Sequence, residues 1–357
     1  MTRTRWPLCA LASFVVAGAV TLASPGSASA ATWQVTPAQA EVIPDSATDA
    51  WGIFVNVDTY GGDGSTTEVA NLSGTTWSFS TVPGLPEGAA IAGDSPTDAW
   101  AVWDSTAAHY DGSSWTTSTI PAAYGLNSVA IVSPADVWAA GPNHTNPAGL
   151  PLVHWNGTQW SSVAPPAPPG ATWVSVNALS ASGGDLWVLA SASLNCSNGF
   201  CDNEYFAARW DGTGWSPTPA LPAGFTAGSS ISADSAADVW VVGGGTGDAA
   251  HYNGSTWSTF TMPATSGQTA LSLHKIAAHG GQAWAVGSTQ NNGTTHAAVY
   301  HWDGSAWSSA AFPVTSDYSD TSSVTYLPGS NTVWIEALDP TTIDPTTGSD
   351  LVIAVGG

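Results

Sequence analysis

Asp136-Val-Trp-Ala-Ala140 and the later stretch Leu152-Val-His-Trp-Asn-Gly-Thr-Gln-Trp160 contain two patterns that recur along the chain. The first pattern, Asp-x-Trp, begins at Asp49, Asp98, Asp136, Asp185 and Asp238, and its tryptophan continues without the aspartate at Trp284 and Trp334. The second pattern runs from an aromatic residue through Asp-Gly or Asn-Gly to a tryptophan, and it ends at Trp115, Trp160, Trp215, Trp257 and Trp307, with a weaker copy at Trp77. Successive tryptophans of each pattern are 38 to 55 residues apart, so the chain is an array of one repeated unit.

Each unit is predicted to form four β-strands. In the unit quoted above, the first three are expected at Ser128–Val132, Val137–Ala140 and Leu152–Trp155, and the fourth begins near Trp160. The Asn156-Gly157 pair predicts a two-residue hairpin turn, in which both central residues have positive φ. No long stretch has an apolar period of 3.6 residues, so we expect almost no helix.

The number of units predicts how the array ends. Seven second-strand tryptophans run from Trp51 to Trp334, but only six hairpin tryptophans follow them. Trp33 lies before the first complete unit, and the C-terminal Leu351–Val355 supplies a third strand without a fourth. We therefore predict an all-β, seven-bladed β-propeller over residues 31–357, closed by the N-terminal strand, because such pairing removes two open sheet edges.

Most of the repeated residues are predicted to be structural. Burying one tryptophan removes about 150–250 Å² from water, so the two tryptophan columns should form the core between blades. A histidine column (His109, His154, His251 and His301, with Arg209 in the same place) is expected to pack and form hydrogen bonds, because copies spread around a ring do not converge on a metal. The column aspartates are expected to cap turn amides, and Asp111, Asp211 and Asp303 to serve the hairpin turns.

The chain start and the charge predict where the protein works. Arg3 and Arg5 precede an apolar stretch, Leu8–Leu22, and the small residues Ala28-Ser-Ala30 form a cleavage site, so residues 1–30 are predicted to be a signal peptide. The whole chain has a net charge of −22. Nucleic acid and anionic membranes are excluded as partners, since both require clusters of Lys and Arg. We expect a secreted, extracellular protein that does not insert into membranes and is a monomer.

Two cysteines, Cys196 and Cys201, follow the predicted signal peptide. An exported chain with an even number of cysteines favours a disulfide between them. The closed loop is short, so the chain-entropy model assigns the bridge only about 2 kcal/mol. The predicted disulfide therefore pins one loop and contributes little to the fold as a whole.

The units resemble kelch-type repeats, the propeller class that also forms the central domain of galactose oxidase. The resemblance rests on a glycine after the second strand (Gly141, Gly243 and Gly287), the aromatic-Asp pair with its following tryptophan, and a closing proline such as Pro121 or Pro263. They are also similar to the repeats of exported bacterial propellers. This resemblance implies the fold rather than an activity. A copper-radical oxidase is not expected, because both cysteines after the predicted signal peptide lie in one loop. A sialidase would need several arginines, whereas Arg209 is the only one after that peptide.

Variation among the repeats predicts the ligand-binding face. The turns between strands one and two and between strands three and four are nearly uniform, whereas the connections between strands two and three differ in length and composition; they are 56–67, 103–107, 142–151, 191–205, 243–248, 288–295 and 338–349. We call the face that carries these connections the variable face, and we expect specificity there. Its candidate binding residues are Trp103, Trp173, Tyr60, Tyr205, Asp58 and Asp63.

Asp58 and Asp63 are candidate ligands for calcium, although no EF-hand pattern is present, and no other cofactor is predicted. The leading functional hypothesis is a secreted binding module for an extracellular glycan or protein. The alternative is an extracellular carbohydrate-active hydrolase or lyase that uses loop carboxylates, for which the sequence assigns no catalytic residue. A structural protein without a discrete ligand is the third hypothesis.

Overall fold

The computed structural model describes residues 34–37, 41–44, 49–56, 66–73, 76–86, 88–120, 125–141, 152–197, 200–216, 218–222, 225, 228–243, 247–327, 330–341 and 351–356. These residues form strands and turns, with no helix among them, and therefore none long and apolar enough to cross a membrane. The strands are arranged in seven sheets of four antiparallel strands, one for each predicted unit. The expected all-β repeat architecture is confirmed.

The strands follow one another regularly along the chain, beginning with β1 (Gln34–Pro37). Blade 1 contains β2 (Glu41–Pro44), β3 (Asp49–Asn56), β4 (Thr66–Ser73) and β5 (Thr76–Ser80). Blade 2 contains β6 (Ala90–Ser95), β7 (Asp98–Trp103), β8 (Thr106–Tyr110) and β9 (Trp115–Thr119). Blade 3 contains β10 (Ser128–Ser133), β11 (Asp136–Ala140), β12 (Leu152–Trp155) and β13 (Trp160–Val163).

The remaining blades include two with longer strands. Blade 4 contains β14 (Trp173–Ser182), β15 (Asp185–Ser197), β16 (Phe200–Trp210) and β17 (Trp215–Ser216). Blade 5 contains β18 (Ser230–Ser235), β19 (Asp238–Val242), β20 (Asp248–Tyr252) and β21 (Trp257–Thr261). Blade 6 contains β22 (Gln268–His279), β23 (Gln282–Asn291), β24 (Thr294–Trp302) and β25 (Trp307–Ser309). Blade 7 contains β26 (Asp320–Tyr326), β27 (Val333–Leu338) and β28 (Leu351–Gly356).

The first strands of the blades contact one another in a closed cycle. Each contacts the first strand of the next blade, and β26 of blade 7 contacts β2 of blade 1. The fourth strand of blade 7 is β1, which pairs with β28 from Gln34 opposite Val355 to Pro37 opposite Val352. The two ends of the chain therefore share one sheet, while Trp33 itself lies outside the described residues.

The core lies between adjacent blades and is rich in tryptophan. Trp240 of blade 5 is 1% exposed, and its ring lies 5.2 Å from that of Trp302 and 5.3 Å from that of Trp307, both in blade 6. Equivalent apolar clusters occupy the other junctions from blade 1 to blade 7. Large flat rings fill the space that widens between blades as they splay from the axis, so the predicted packing role of these tryptophans is confirmed.

The hairpin turns differ from the prediction. Trp155 pairs directly with Trp160, so the turn has four residues instead of two. Gly157 has a φ of 89°, but Asn156 is not among the described residues with positive φ. The Asn156 side chain accepts a hydrogen bond from the amide of Thr158, which holds the first turn residue in place without a left-handed backbone.

The aspartates at the same turn position act in the same way, as predicted. Asp111 accepts hydrogen bonds from the hydroxyl and amide of Ser113 and from the amide of Ser114. These bonds, led by the Ser113 hydroxyl, lower the pKa of Asp111 to about 2. The turn carboxylates are therefore charged throughout the physiological pH range.

Candidate functional site

The histidine column packs against the tryptophan core. In four blades the histidine ring stacks on the second-strand tryptophan at 4.1–4.3 Å, in the pairs Trp100–His109, Trp138–His154, Trp240–His251 and Trp284–His301. In three of these blades the histidine Nε2 also lies 2.8–3.0 Å from a carboxylate oxygen, in the pairs His109–Asp98, His154–Asp136 and His251–Asp238. The predicted packing role is confirmed, and the column aspartates serve the histidines, a role that the sequence analysis did not foresee.

Two blades vary this arrangement. In blade 4, Arg209 takes the histidine position, and its Nη2 lies 3.0 and 2.9 Å from the two carboxylate oxygens of Asp185. In blade 6, Gln282 takes the aspartate position, and its Oε1 lies 3.4 Å from His301 Nε2. Burial lowers the pKa of His301, although the charge of Asp303 acts in the opposite direction.

The blade 6 variation predicts a pH effect on stability. Because the folded pKa of His301 is lowered, the stability that its neutral ring contributes is fully present above its ordinary pKa of about 6.5 and is lost as the pH falls from there through the lowered folded pKa. Gln282→Asp should raise the pKa of His301 and recover part of this loss. We expect Gln282→Asp to have a higher Tm than wild type at pH 5, corresponding to a gain of less than about 1 kcal/mol in the free energy of unfolding. The difference should be smaller at pH 8.

Gln282→Asn is the matched control, since it has the size of aspartate without the charge. Thermal unfolding followed by circular dichroism at both pH values checks the expectation. An equal response of the two variants at pH 5 would rule out the electrostatic explanation.

No cluster of three potential metal-binding side chains occurs in the part of the chain that the structure describes. The predicted calcium ligands Asp58 and Asp63, and the candidate aromatic Tyr60, lie outside the described residues. Trp103 is described, but it is only 8% exposed and packs in the core between blades 1 and 2. Its ring is therefore occupied by packing between these blades and offers little surface to a ligand.

Trp173 and Tyr205 are brought together at the variable face of blade 4. Trp173 begins β14 and is 37% exposed. It lies opposite Ser193 on β15, while Tyr205 on β16 lies opposite Ser191, two residues along the same strand. Because alternate residues share one face of a sheet, both aromatic side chains lie on the same face of the blade 4 sheet.

This face borders a groove of about 740 Å³, which we call the blade 4 groove. Its lining combines the two aromatic rings with amide and hydroxyl groups; the polar side chains come from Asn127, Ser175, Asn177, Ser191, Ser193, Asn203 and Ser229. The groove also spans three blades, because Asn127 precedes β10 in blade 3 and Ser229 precedes β18 in blade 5.

The axial end of the groove is built from one repeated position. The amides of Asn127 and Ser229 each bond the last carbonyl of their second strand, that of Ala140 and that of Val242. Asn177 occupies the corresponding position in blade 4, where it is the extra residue of a bulge in β14. These three polar residues therefore lie at the start of blades 3, 4 and 5, at the axial end of the groove.

Hydrogen bonds hold several groove side chains in place. Ser193 Oγ donates to Asn203 Oδ1 at 3.0 Å, and Ser191 Oγ donates to Asn177 Oδ1 at 3.2 Å. Asn177 Nδ2 in turn donates to the carbonyl of Gly228 in the next blade. The Asn203 Nδ2 group has no hydrogen-bond partner among the described residues, so it is available to a ligand.

The Cys196–Cys201 disulfide is present, as predicted, near the tip of the β15–β16 hairpin. Cys201 lines the blade 4 groove, and Thr172, which precedes Trp173, contacts Cys196 Sγ at 3.2 Å. The contact of Thr172 with Cys196 therefore connects the hairpin tip to the segment that carries Trp173. The disulfide thus lies at the groove, and its small contribution to stability stays a prediction.

The strands of blades 4 and 6 extend further than the sequence predicts. Residues 191–205 and 288–295, predicted to be variable connections, largely continue these strands. In blade 6 a true two-residue turn, Asn292-Gly293, has φ values of 50° and 86°. The Asn292-Gly293 pair is a hairpin signal in the sequence that could have predicted this extension.

Comparison with known proteins supports the fold. No family profile matches the sequence, and no curated protein is similar to it. Among solved structures, virginiamycin B lyase from Staphylococcus aureus, bound to quinupristin, is 9% identical, covering 91% of this chain and 99% of that chain with a TM-score of 0.57. YCF48 bound to D1 peptide is 13% identical, covering 90% and 96% of the two chains with a TM-score of 0.56.

The β-propeller domain of the trilobed protease from Pyrococcus furiosus, which has an open velcro topology, is 7% identical. It covers 89% of this chain and 94% of that domain with a TM-score of 0.52. At these identities the similarity establishes the fold alone. The chain is a seven-bladed β-propeller, a class that includes both binding and enzymatic modules.

Proposed function

We propose that this propeller is a secreted binding module that recognises an extracellular glycan in the blade 4 groove. The observation that carries the proposal is that the exposed Trp173 lines one groove together with Tyr205 and with amide and hydroxyl side chains. A sugar ring has an apolar C–H face that can pack on an aromatic ring, and hydroxyl groups around its edge that need donors and acceptors. The groove offers both an aromatic surface and hydrogen-bonding groups to a sugar.

The division of the propeller into two faces supports this location. The turns on the opposite face repeat one construction, in which an Asp or Asn side chain caps the hairpin amides. The hairpins on the variable face differ, and those of blades 4 and 6 are extended. A surface that differs among repeats while the scaffold is maintained is where ligand specificity is expected.

The alternative function is an extracellular hydrolase or lyase. Two of the similar propellers illustrate the choice, since one is a lyase and the other was solved with a bound peptide. Among the described residues, the lining of the blade 4 groove includes aromatic, amide and hydroxyl side chains but no carboxylate pair, which a glycosidase of the usual kind requires. This lining favours binding over glycoside hydrolysis at that groove.

Secretion is inferred from the leader in residues 1–30 and is supported by the disulfide, a bond typical of oxidising compartments. The kelch-type assignment, the calcium site at Asp58 and Asp63, and the monomeric state stay predictions. A protein ligand in place of a glycan would have to use the same exposed surface, so the test below includes that outcome.

The test is a glycan array with the mature chain, residues 31–357, followed by calorimetric titration of the strongest glycan. Trp173→Ala should weaken binding by at least about tenfold, or 1.4 kcal/mol, because it removes the stacking surface. Phe79→Ala is the matched control: Phe79 is 42% exposed but lies on β5 of blade 1, and its loss should leave binding unchanged.

Three results would contradict the proposal. The first is that no glycan binds, which would leave a protein ligand as the partner. The second is that Trp173→Ala binds as well as wild type while remaining folded. The third is release of sugar products by the wild-type protein in a turnover assay, which would identify an enzyme.

A further inference from the structure

We propose that the blade 4 groove selects uncharged oligosaccharides over acidic ones. This inference rests on the proposed function and names the class of glycan. The observation behind it is that the described side chains that line the groove are all uncharged, although the protein carries 26 acidic residues. Polar recognition in the groove is therefore left to neutral donors and acceptors.

The neutral lining follows from the alternation of side chains along β16. Cys201, Asn203 and Tyr205 line the groove. The residues between them, Asp202 and Glu204, are exposed and belong to the other face of the strand. Asp202 accepts a hydrogen bond from Asn195 Nδ2 at 3.1 Å, which holds its carboxylate at the hairpin tip. Along β16 the charged groups nearest to the groove are therefore these two carboxylates, which lie on the face of the strand opposite the groove.

A carboxylate on the ligand would find no cation in the groove. Outside the leader the sequence has two basic residues, Arg209 and Lys275. Arg209 is already paired with Asp185 in the body of blade 4. Lys275 is exposed on β22 of blade 6 and is not among the residues that line the groove. An acidic sugar would lose hydration without gaining an ion pair, and it would approach two carboxylates across one strand.

An uncharged sugar meets complementary groups instead. The Asn203 Nδ2 donor and the exposed Asn127 side chain can bond hydroxyl groups without any change of charge. The groove volume of about 740 Å³ lies in the range of about 300–1,000 Å³ that is usual for small ligands. The site therefore suits a short segment of an oligosaccharide, with one ring on Trp173 and hydroxyls directed toward the axial asparagines.

The experiment uses an array of paired oligosaccharides, in which each neutral compound is printed beside its uronic acid counterpart, with one CH₂OH group oxidised to carboxylate. The strongest pair is then titrated calorimetrically with the mature protein at 50 and 300 mM NaCl, values of about 14 and 6 Å in Debye length. We expect the neutral member to bind at least tenfold more tightly, with a smaller preference at the higher salt concentration.

Asn203→Lys adds a cation at the exposed donor position and should strengthen binding of the acidic member by at least fivefold. Asn203→Gln is the matched control, because it changes the side chain length without adding charge, and it should leave the preference for the neutral member in place. Thermal unfolding of both variants verifies that they are folded.

The outcomes separate the two proposals. Binding of the acidic member as tightly as the neutral one overturns the selectivity and leaves glycan binding intact. An equal gain for the acidic member in Asn203→Lys and Asn203→Gln also overturns it, since charge would not be the cause. If neither member of any pair binds, the proposed function itself fails, and this inference fails with it.

Discussion

Trp240→Ala should lower the free energy of unfolding by about 3–5 kcal/mol, the usual cost of removing a large buried aromatic side chain. The ring is 1% exposed and contacts four other rings; these belong to His251, Phe260, Trp302 and Trp307. Two of the four are in the next blade, so the substitution would open a cavity at the junction between blades 5 and 6. Denaturant unfolding followed by tryptophan fluorescence and circular dichroism provides the measurement.

Trp173→Ala is the control for this prediction, because it removes the same side chain from a site that is 37% exposed. The change at Trp173 should cost much less than that at Trp240, since most surface substitutions alter stability by about 0.5 kcal/mol or less. Similar losses in the two variants would show that burial between blades is not what stabilises the ring. The pair also separates the two uses of tryptophan that we assign to this chain.

Gly287→Ala should destabilise the protein by about 3 kcal/mol, at the upper end of the range for overpacking. A Cβ atom at this position would overlap the carbonyl oxygen of Ser272 and would lie 2.9 Å from the Cα atom of Leu273. Both residues are on the neighbouring strand β22, next to its bulge, and Thr321 of blade 7 donates a hydrogen bond to the Gly287 carbonyl. The atoms that the Cβ would overlap are backbone atoms of β22, which leaves little room for adjustment.

Gly214→Ala is the matched control, since a Cβ atom there would have nothing within 4 Å. Its effect on the free energy of unfolding should lie within about 0.5 kcal/mol. A result in which Gly287→Ala is also neutral would mean that the strands separate at little cost. The same measurement therefore tests whether the repeat glycine, which lies within β23 in blade 6, is required by close backbone approach.

These predictions describe a scaffold and a site that use different parts of the repeat. Stacked Trp–His pairs recur in blades 2, 3, 5 and 6, and capped turns recur with them, so that these columns account for packing. The extended hairpin of blade 4 adds a sheet surface that blades 2, 3 and 5 lack. Changes at that hairpin should alter binding with little effect on stability, and changes in the columns should do the reverse.

Much of the architecture could be predicted because the signals are local and repeated. Tryptophans at fixed places in each unit, apolar strands of a few residues and Asp-Gly or Asn-Gly turns were enough to predict seven sheets of four strands. The turn type was wrong at Asn156, because an Asn side chain can cap two amides and stabilise a longer turn without positive φ. Local residue preference could not distinguish these two ways of reversing the chain.

The candidate site was only partly predictable. Trp103 and Trp173 are both outside the tryptophan columns, and nothing in the residues beside them showed that the first is buried between blades 1 and 2 while the second is exposed on blade 4. Trp173 and Tyr205 are 32 positions apart in the sequence. They line one groove because β14 and β16 pair with opposite edges of β15 in a register that puts both side chains on the same face.

Sequence periodicity therefore accounts for the number of units and the identity of the core columns. The disulfide was predictable from the number of cysteines. Each of these features depends on neighbours within one repeat. The blade 4 groove depends on contacts between repeats. Asn127, Asn177 and Ser229 belong to three different blades, and only the closed arrangement of first strands brings them around one axis. Strand register and the packing of adjacent blades decide which polar groups face a ligand, and neither is encoded in a local pattern.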